Sequence, residues 1–210
     1  MKIILTLLLV SLISFSISGQ IFEGKITYAN SYQSKVAGLT NETLYAMMGT
    51  RQDYYIKGGK FKNVFNGSFL KWQVYSPTQN KLYSLTAKTD TMYWDDCLPI
   101  KDEPVSYEIQ KDKETLLGIV CDVLIISTKK QKMYFYFNPG KLLLDPSLFE
   151  DMNYSNWYYT ISKTRALCYK TVIETQQFIV TSVVTEIAAM QLKDGFFDIP
   201  LIPGTKNPFN

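Results

Sequence analysis

Phe22, Gly24, Ile26 and Tyr28 alternate with Glu23, Lys25 and Thr27, a period of two that puts apolar side chains on one face of a strand and polar ones on the other. The pattern returns at residues 52–57, 60–65, 69–75, 80–86 and 90–96, and after Pro104 at 105–110, 117–127, 132–138, 166–174 and 177–187. About ten strands follow from this reading. The connections between them are brief turns at Gly58-Gly59, Asn66-Gly67, Pro77-Thr78, Lys129-Lys130 and Gln176-Gln177, too short for the crossovers that parallel strands need. An antiparallel meander is therefore predicted, and an α/β fold is excluded.

Two segments break the period. Residues 40–48 place Leu44, Met47 and Met48 on one helical face, with Thr40 or Asn41 as cap and Gly49 as stop. Asp145 caps a second, shorter helix that starts at Pro146 and runs to Met152. A large sheet with so little helix must curl to cover its apolar face. The expected fold is mainly β (α+β): a curved antiparallel sheet forming a partly open half-barrel, with one or two short helices over its concave face. Residues 20–210 are expected to form one such domain.

The first residues stand apart. Lys2, an apolar run from Ile3 to Phe15, and the small residues Ser16, Ser18 and Gly19 have the layout of a secretory signal peptide over 1–19, cleaved after Ser18 or Gly19. The run is shorter than the roughly 20 residues of a membrane-spanning helix, and no later segment reaches that length. An exported, soluble, periplasmic or secreted protein is expected, with no integral span. Export permits a disulfide, and three cysteines, Cys97, Cys121 and Cys168, allow at most one within the chain; spacing does not say which pair.

Composition narrows the chemistry. There is no histidine, which removes the Ser-His-Asp triad, the Cys-His pair and imidazole metal sites. The isolated cysteines do not make a zinc site, so neither metal nor cofactor is expected. Lys and Arg total 22 against 19 Asp and Glu, an excess too small for charge-driven nucleic-acid binding. Paired acids at Asp95-Asp96, Asp102-Glu103 and Glu150-Asp151 are the candidates for acid–base work, but adjacent acids in turns point apart and serve solubility. No catalysis is expected.

The stretch Tyr54-Tyr55-Ile56-Lys57-Gly58-Gly59-Lys60 has a Gly-Gly-Lys centre, as a phosphate loop has. It leads into another strand rather than a helix, and Phe61 stands where Ser or Thr would follow the lysine. A two-residue hairpin with positive backbone angles at both glycines fits better. In "MYFYF", Met133, Phe135 and Phe137 alternate with Tyr134 and Tyr136, so this strand is covered on both sides or faces a partner.

The order "YAMMGTRQDYYIKGGKFKN", "DTMYWDD", "ETLLGIVCDVLII", "YFN" before a short Asp-Pro helix, and "FFDIP" resembles a family of secreted bacterial proteins similar in fold to the lipoprotein carriers LolA and LolB. The resemblance spans nearly the whole mature chain. It implies a curved half-barrel whose helix-closed hollow holds lipid acyl chains in the carriers. Their lipoprotein-engaging arginine has no counterpart in Arg51 or Arg165, the only arginines here. The function expected is a periplasmic binding or carrier-like protein for an apolar ligand, a lipid or lipidated protein. Ile56, Trp72, Val74, Trp94 and Phe135 are the expected ligand wall, with Met47 and Met48 on the lid. The alternative is an envelope scaffold, a protein-interaction module whose core is filled by those same side chains.

Overall fold

The computed structural model describes residues 20–87 and 91–208. The segment 1–19 read as a signal peptide lies outside the described residues. Twelve strands form one sheet: β1 (Gly24–Ser34), β2 (Arg51–Lys57), β3 (Lys60–Phe65), β4 (Leu70–Ser76), β5 (Lys81–Thr86), β6 (Met92–Asp96), β7 (Ser106–Leu116), β8 (Ile119–Ser127), β9 (Lys132–Phe137), β10 (Cys168–Glu174), β11 (Phe178–Ala189) and β12 (Gly204–Lys206). Their spatial order is β12-β6-β5-β4-β3-β2-β1-β11-β10-β9-β8-β7. Two meanders, β1–β6 and β7–β11, are thus joined side by side through β1 and β11. The mainly β, antiparallel architecture read from the period of two is observed, with one departure. The short β12, which carries no alternating signal, joins β6 in parallel.

Helix α1 (Asn41–Met48) is capped as its sequence predicts: the Thr40 hydroxyl accepts from the Thr43 N–H at 3.1 Å, and Gly49 stops it with φ +84°. Its environment differs from the expectation. Leu44 is buried, but Met47 and Met48 are exposed, and α1 packs at the end of β1 through a T-shaped contact of Tyr45 with Tyr32. Those two methionines are not a lid over the sheet.

The second predicted helix shrinks to a 3-10 turn, Pro146–Phe149, capped by the Asp145 carboxylate on the Ser147 N–H at 3.0 Å. The longer helix of this region is α2 (Trp157–Thr164), which the periodicity did not announce. Its aromatic and β-branched residues are indifferent helix formers, so packing holds it in place. It is entered through Ser155 and Asn156, both left-handed, and Thr160 Oγ1 donates back to the Asn156 carbonyl at 2.9 Å. Ile161 is buried in the main core with Phe149, Met152 and the side chains of β1–β3.

The β2–β3 hairpin closes on Gly58-Gly59, with Lys57 opposite Lys60. Gly58 is left-handed at φ +54°, whereas Gly59 is not, a correction to the expectation that both are. Gly59 is constrained differently: a Cβ there would stand 2.9 Å from the Leu148 carbonyl oxygen of the 3-10 turn. Among the described residues, no helix is long and apolar enough to cross a membrane.

Candidate functional site

Directly opposed residues share a face, so registers sort the expected ligand wall. Ile56 lies opposite Phe61, which lies opposite Tyr75, all on the side covered by α2 and the 3-10 turns. Phe135 lies on the same side but farther along, in a separate cluster with Leu124, Ile126, Met133 and Phe137. Val74 lies opposite Lys62 and Tyr83, and Tyr83 opposite Trp94, so Val74 and Trp94 face the other way. Trp72 joins Val74 in a third cluster, beneath Leu192, Phe196 and Phe197 of the C-terminal segment. The seven residues therefore divide between two faces and a peripheral helix and do not form one wall.

The helix side is filled by rings. Phe61 lies between Tyr54 and Tyr75, with centroids at 5.5 and 5.4 Å, and Trp157 of α2 closes over Tyr54 and Phe61 at 6.1 and 5.8 Å. Phe149 completes the group, 6.3 Å from Trp157 and 6.5 Å from Tyr75. Burial pushes the Tyr75 phenol up to about 12 and those of Tyr28 and Tyr54 further. A cavity of about 330 Å³ opens between Gln20–Glu23 and Ala189–Gln191, and one of about 150 Å³ between residues 99–102 and 153–156. None of the seven residues lines either.

The opposite side carries the polar chemistry. Opposed positions on β1, β2 and β11 collect Lys25, Thr27, Arg51, Asp53 and Glu186 near the middle of the sheet. Thr27 Oγ1 donates to Asp53 Oδ1 at 2.7 Å, the Arg51 guanidinium donates to the same oxygen at 3.1 and 3.2 Å, and the Lys25 ammonium stands 3.4 Å away. Burial raises the Asp53 carboxyl, but the hydrogen bonds from Thr27 and Arg51 and the two nearby cations outweigh it and hold the group below the ordinary carboxylate value. A register shift between Thr27 and Tyr28, opposite Glu186 and Val184, leaves Thr185 as the extra residue, and the Thr185 hydroxyl donates to the Thr27 carbonyl at 3.2 Å. No sequence motif announces this group, because its members come from three strands and meet only through register.

On the same side, β9 presents Tyr134 and Tyr136, half-buried, while Met133, Phe135 and Phe137 are buried behind them. The Lys132 ammonium stands 5.3 Å from the Tyr134 ring centroid and that of Lys170 4.8 Å from Tyr136; Lys170 also pairs with Glu114 at 2.8 Å. The C-terminal segment covers the neighbouring part of this face. Lys57 Nζ donates to the Leu192 carbonyl at 2.6 Å and pairs with Asp194 at 2.9 Å, and Phe196 packs on Tyr55 with centroids 4.8 Å apart.

The members of the candidate acid pairs have unlike surroundings. Asp95 is buried and accepts from Asn207 Nδ2 at 3.2 Å, whereas its neighbour Asp96 accepts the Leu98 N–H at 3.0 Å in a turn. Asp102 accepts from the Thr128 hydroxyl, and Glu103, Glu150 and Asp151 are exposed. Cys97, Cys121 and Cys168 are all free and buried. Among the described residues, no group of acidic and thiol side chains is placed to hold a metal ion.

These features define a mainly β protein built on one large antiparallel sheet. No family model matches the chain, and no curated protein matches it. Among solved structures it is similar to one titled "Structure of PNGF-II in C2 space group", with a TM-score of 0.45 and 14% identity over 86% of this chain and 31% of that chain. The chain thus spans about a third of that protein's length, and a likeness this distant speaks to neither activity nor partner.

Proposed function

We propose that this protein is an exported, non-catalytic interaction module of the cell envelope, with a LolA-like half-barrel whose hollow is filled by its own side chains. The filled helix side carries this reading. The rings of Tyr54, Phe61, Tyr75, Phe149 and Trp157 fill the helix-covered side, the side on which the resemblance to the carriers implies a hollow. The curvature has support in the chain's reach. β6 and β7 are ten strand positions apart, roughly 48 Å in a flat sheet. Residues 97–105, which connect them, extend at most about 36 Å. The sheet must curl for that connection to close.

The interaction face is the open side of β9 and β10, where Tyr134 and Tyr136 offer large, half-exposed rings of the kind enriched in protein interfaces. The partner is another envelope protein. Native mass spectrometry and lipid extraction of the purified protein test the reading: no co-purifying lipid and no binding of a fluorescent fatty acid are expected. A stoichiometric bound lipid would restore the carrier function and overturn the scaffold.

A further inference from the structure

We propose that two copies of this chain pair through the outer edge of β7, antiparallel about a two-fold axis at Tyr107, to continue the sheet from one copy into the other. β7 is the terminal strand of the sheet and, among the described residues, pairs as a strand only with β8. It is eleven residues long, well above the short edge strands that proteins use to discourage pairing. Its two halves are unlike. Beyond Gln110 the register with β8 shifts, Asp112 turns left-handed, and Lys111, Asp112, Lys113 and Glu114 follow in succession, which are the devices that blunt an edge. From Ser106 to Gln110 the register with β8 is unbroken and no residue is left-handed. Val105, Tyr107 and Ile109 are 67%, 50% and 37% exposed, and Glu108 is the only charge.

Charge and side-chain pattern single out a second copy as the occupant. Centred on Tyr107, the register places Val105 opposite the partner's Ile109, Tyr107 opposite the partner's Tyr107, and Ser106 opposite the partner's Glu108. Each carboxylate then meets a hydroxyl, and every apolar side chain meets an apolar one. Moving the axis to Glu108 would set two carboxylates against each other, and moving it further would run the pairing into the irregular half of the strand. Tyr159 of α2 extends the apolar strip, edge-on to Tyr107 at 6.1 Å, and the exposed Lys163 ammonium lies over the Tyr107 ring, 4.8 Å from its centroid, where salt screens it.

Sedimentation of the mature protein at tens of micromolar tests the pairing, together with oxidation of two single variants; the three native thiols are buried and remain out of reach. A dimer is expected, cross-linked by Tyr107→Cys, whose two copies meet within disulfide reach, and not by Glu108→Cys, which faces Ser106. Tyr107→Lys sets two ammonium groups opposite each other and should weaken the dimer by about tenfold or more. A monomer at these concentrations, or cross-linking through Glu108→Cys instead of Tyr107→Cys, would overturn the proposal. A monomer would leave the tyrosine face and the filled core unaffected.

Discussion

The carbonyl oxygen of Leu148 lies 2.9 Å from the point where a Cβ on Gly59 would stand. The tip of the β2–β3 hairpin is thereby pressed against the 3-10 turn that follows β9, and the two glycines of that tip have separate reasons to be there. Gly59→Ala forces a backbone oxygen to move and should cost about 1–3 kcal/mol in urea unfolding, as overpacking does. Gly58→Ala meets open space but keeps a left-handed φ, and should cost about 1–2 kcal/mol. Lys60→Ala should stay within about 0.5 kcal/mol. Equal, negligible losses in all three would remove the hairpin geometry as their cause.

Asp53 accepts from Thr27 and Arg51 and is held below its ordinary value, so its contribution to stability has a defined pH window. A carboxylate with a lowered folded value contributes fully above its unfolded value of about 3.9, and that contribution is lost as pH falls through the folded value. Acid titration of thermal stability should therefore be shallower in Asp53→Asn than in the parent below about pH 4, with the variant less stable at pH 7. Parallel curves would show that the carboxylate contributes nothing to acid sensitivity.

The three thiols should be silent in the folded protein. Burial raises the Cys97 and Cys168 thiols to about 12 and that of Cys121 to about 11; for Cys97 the Asp95 carboxylate adds to the effect, and for Cys121 Asp122 and Glu114 do. The reactive thiolate is then scarce at neutral pH. Labelling with a thiol reagent at pH 8 should be slow until denaturant is added and then reach all three residues. Rapid labelling of one cysteine without denaturant would place it at the surface.

The alternation from Phe22 onward was enough to locate most strands, because nearly all of them have one buried face and pair with a chain neighbour. Other features were set by partners distant in sequence. The sheet's central pairing, β1 with β11, joins residues such as Ile26 and Ile187, whose match no local pattern contains. α2 is held by contacts of Trp157 and Ile161 rather than by propensity, and β12 has three exposed residues and no alternation. The ligand wall failed for the same reason. Ile56 and Val74 are equally apolar in sequence, yet the β2–β3–β4 register sends them to opposite faces. Lys25, Thr27, Arg51, Asp53 and Glu186 carry no motif, since sheet register alone assembles them.

Phe61 discriminates between a filled helix side of the sheet and a hollow one. Its ring is buried between Tyr54 and Tyr75 and beneath Trp157, so Phe61→Ala removes the middle of a continuous stack. In a filled core the variant should lose about 3–5 kcal/mol, the usual cost of a buried Phe truncation, and the space left behind should admit a small apolar probe. Tyr134→Ala, on the open side, should lose much less while weakening attachment to the proposed protein partner. In a hollow that exchanges ligand, Phe61→Ala would instead enlarge an existing space, change stability little and alter the length of acyl chain bound. Denaturant unfolding of the two variants, read beside fatty-acid binding, separates the cases: a large loss for Phe61→Ala with no binding by the parent supports the filled core, and a small loss with chain-length selectivity defeats it.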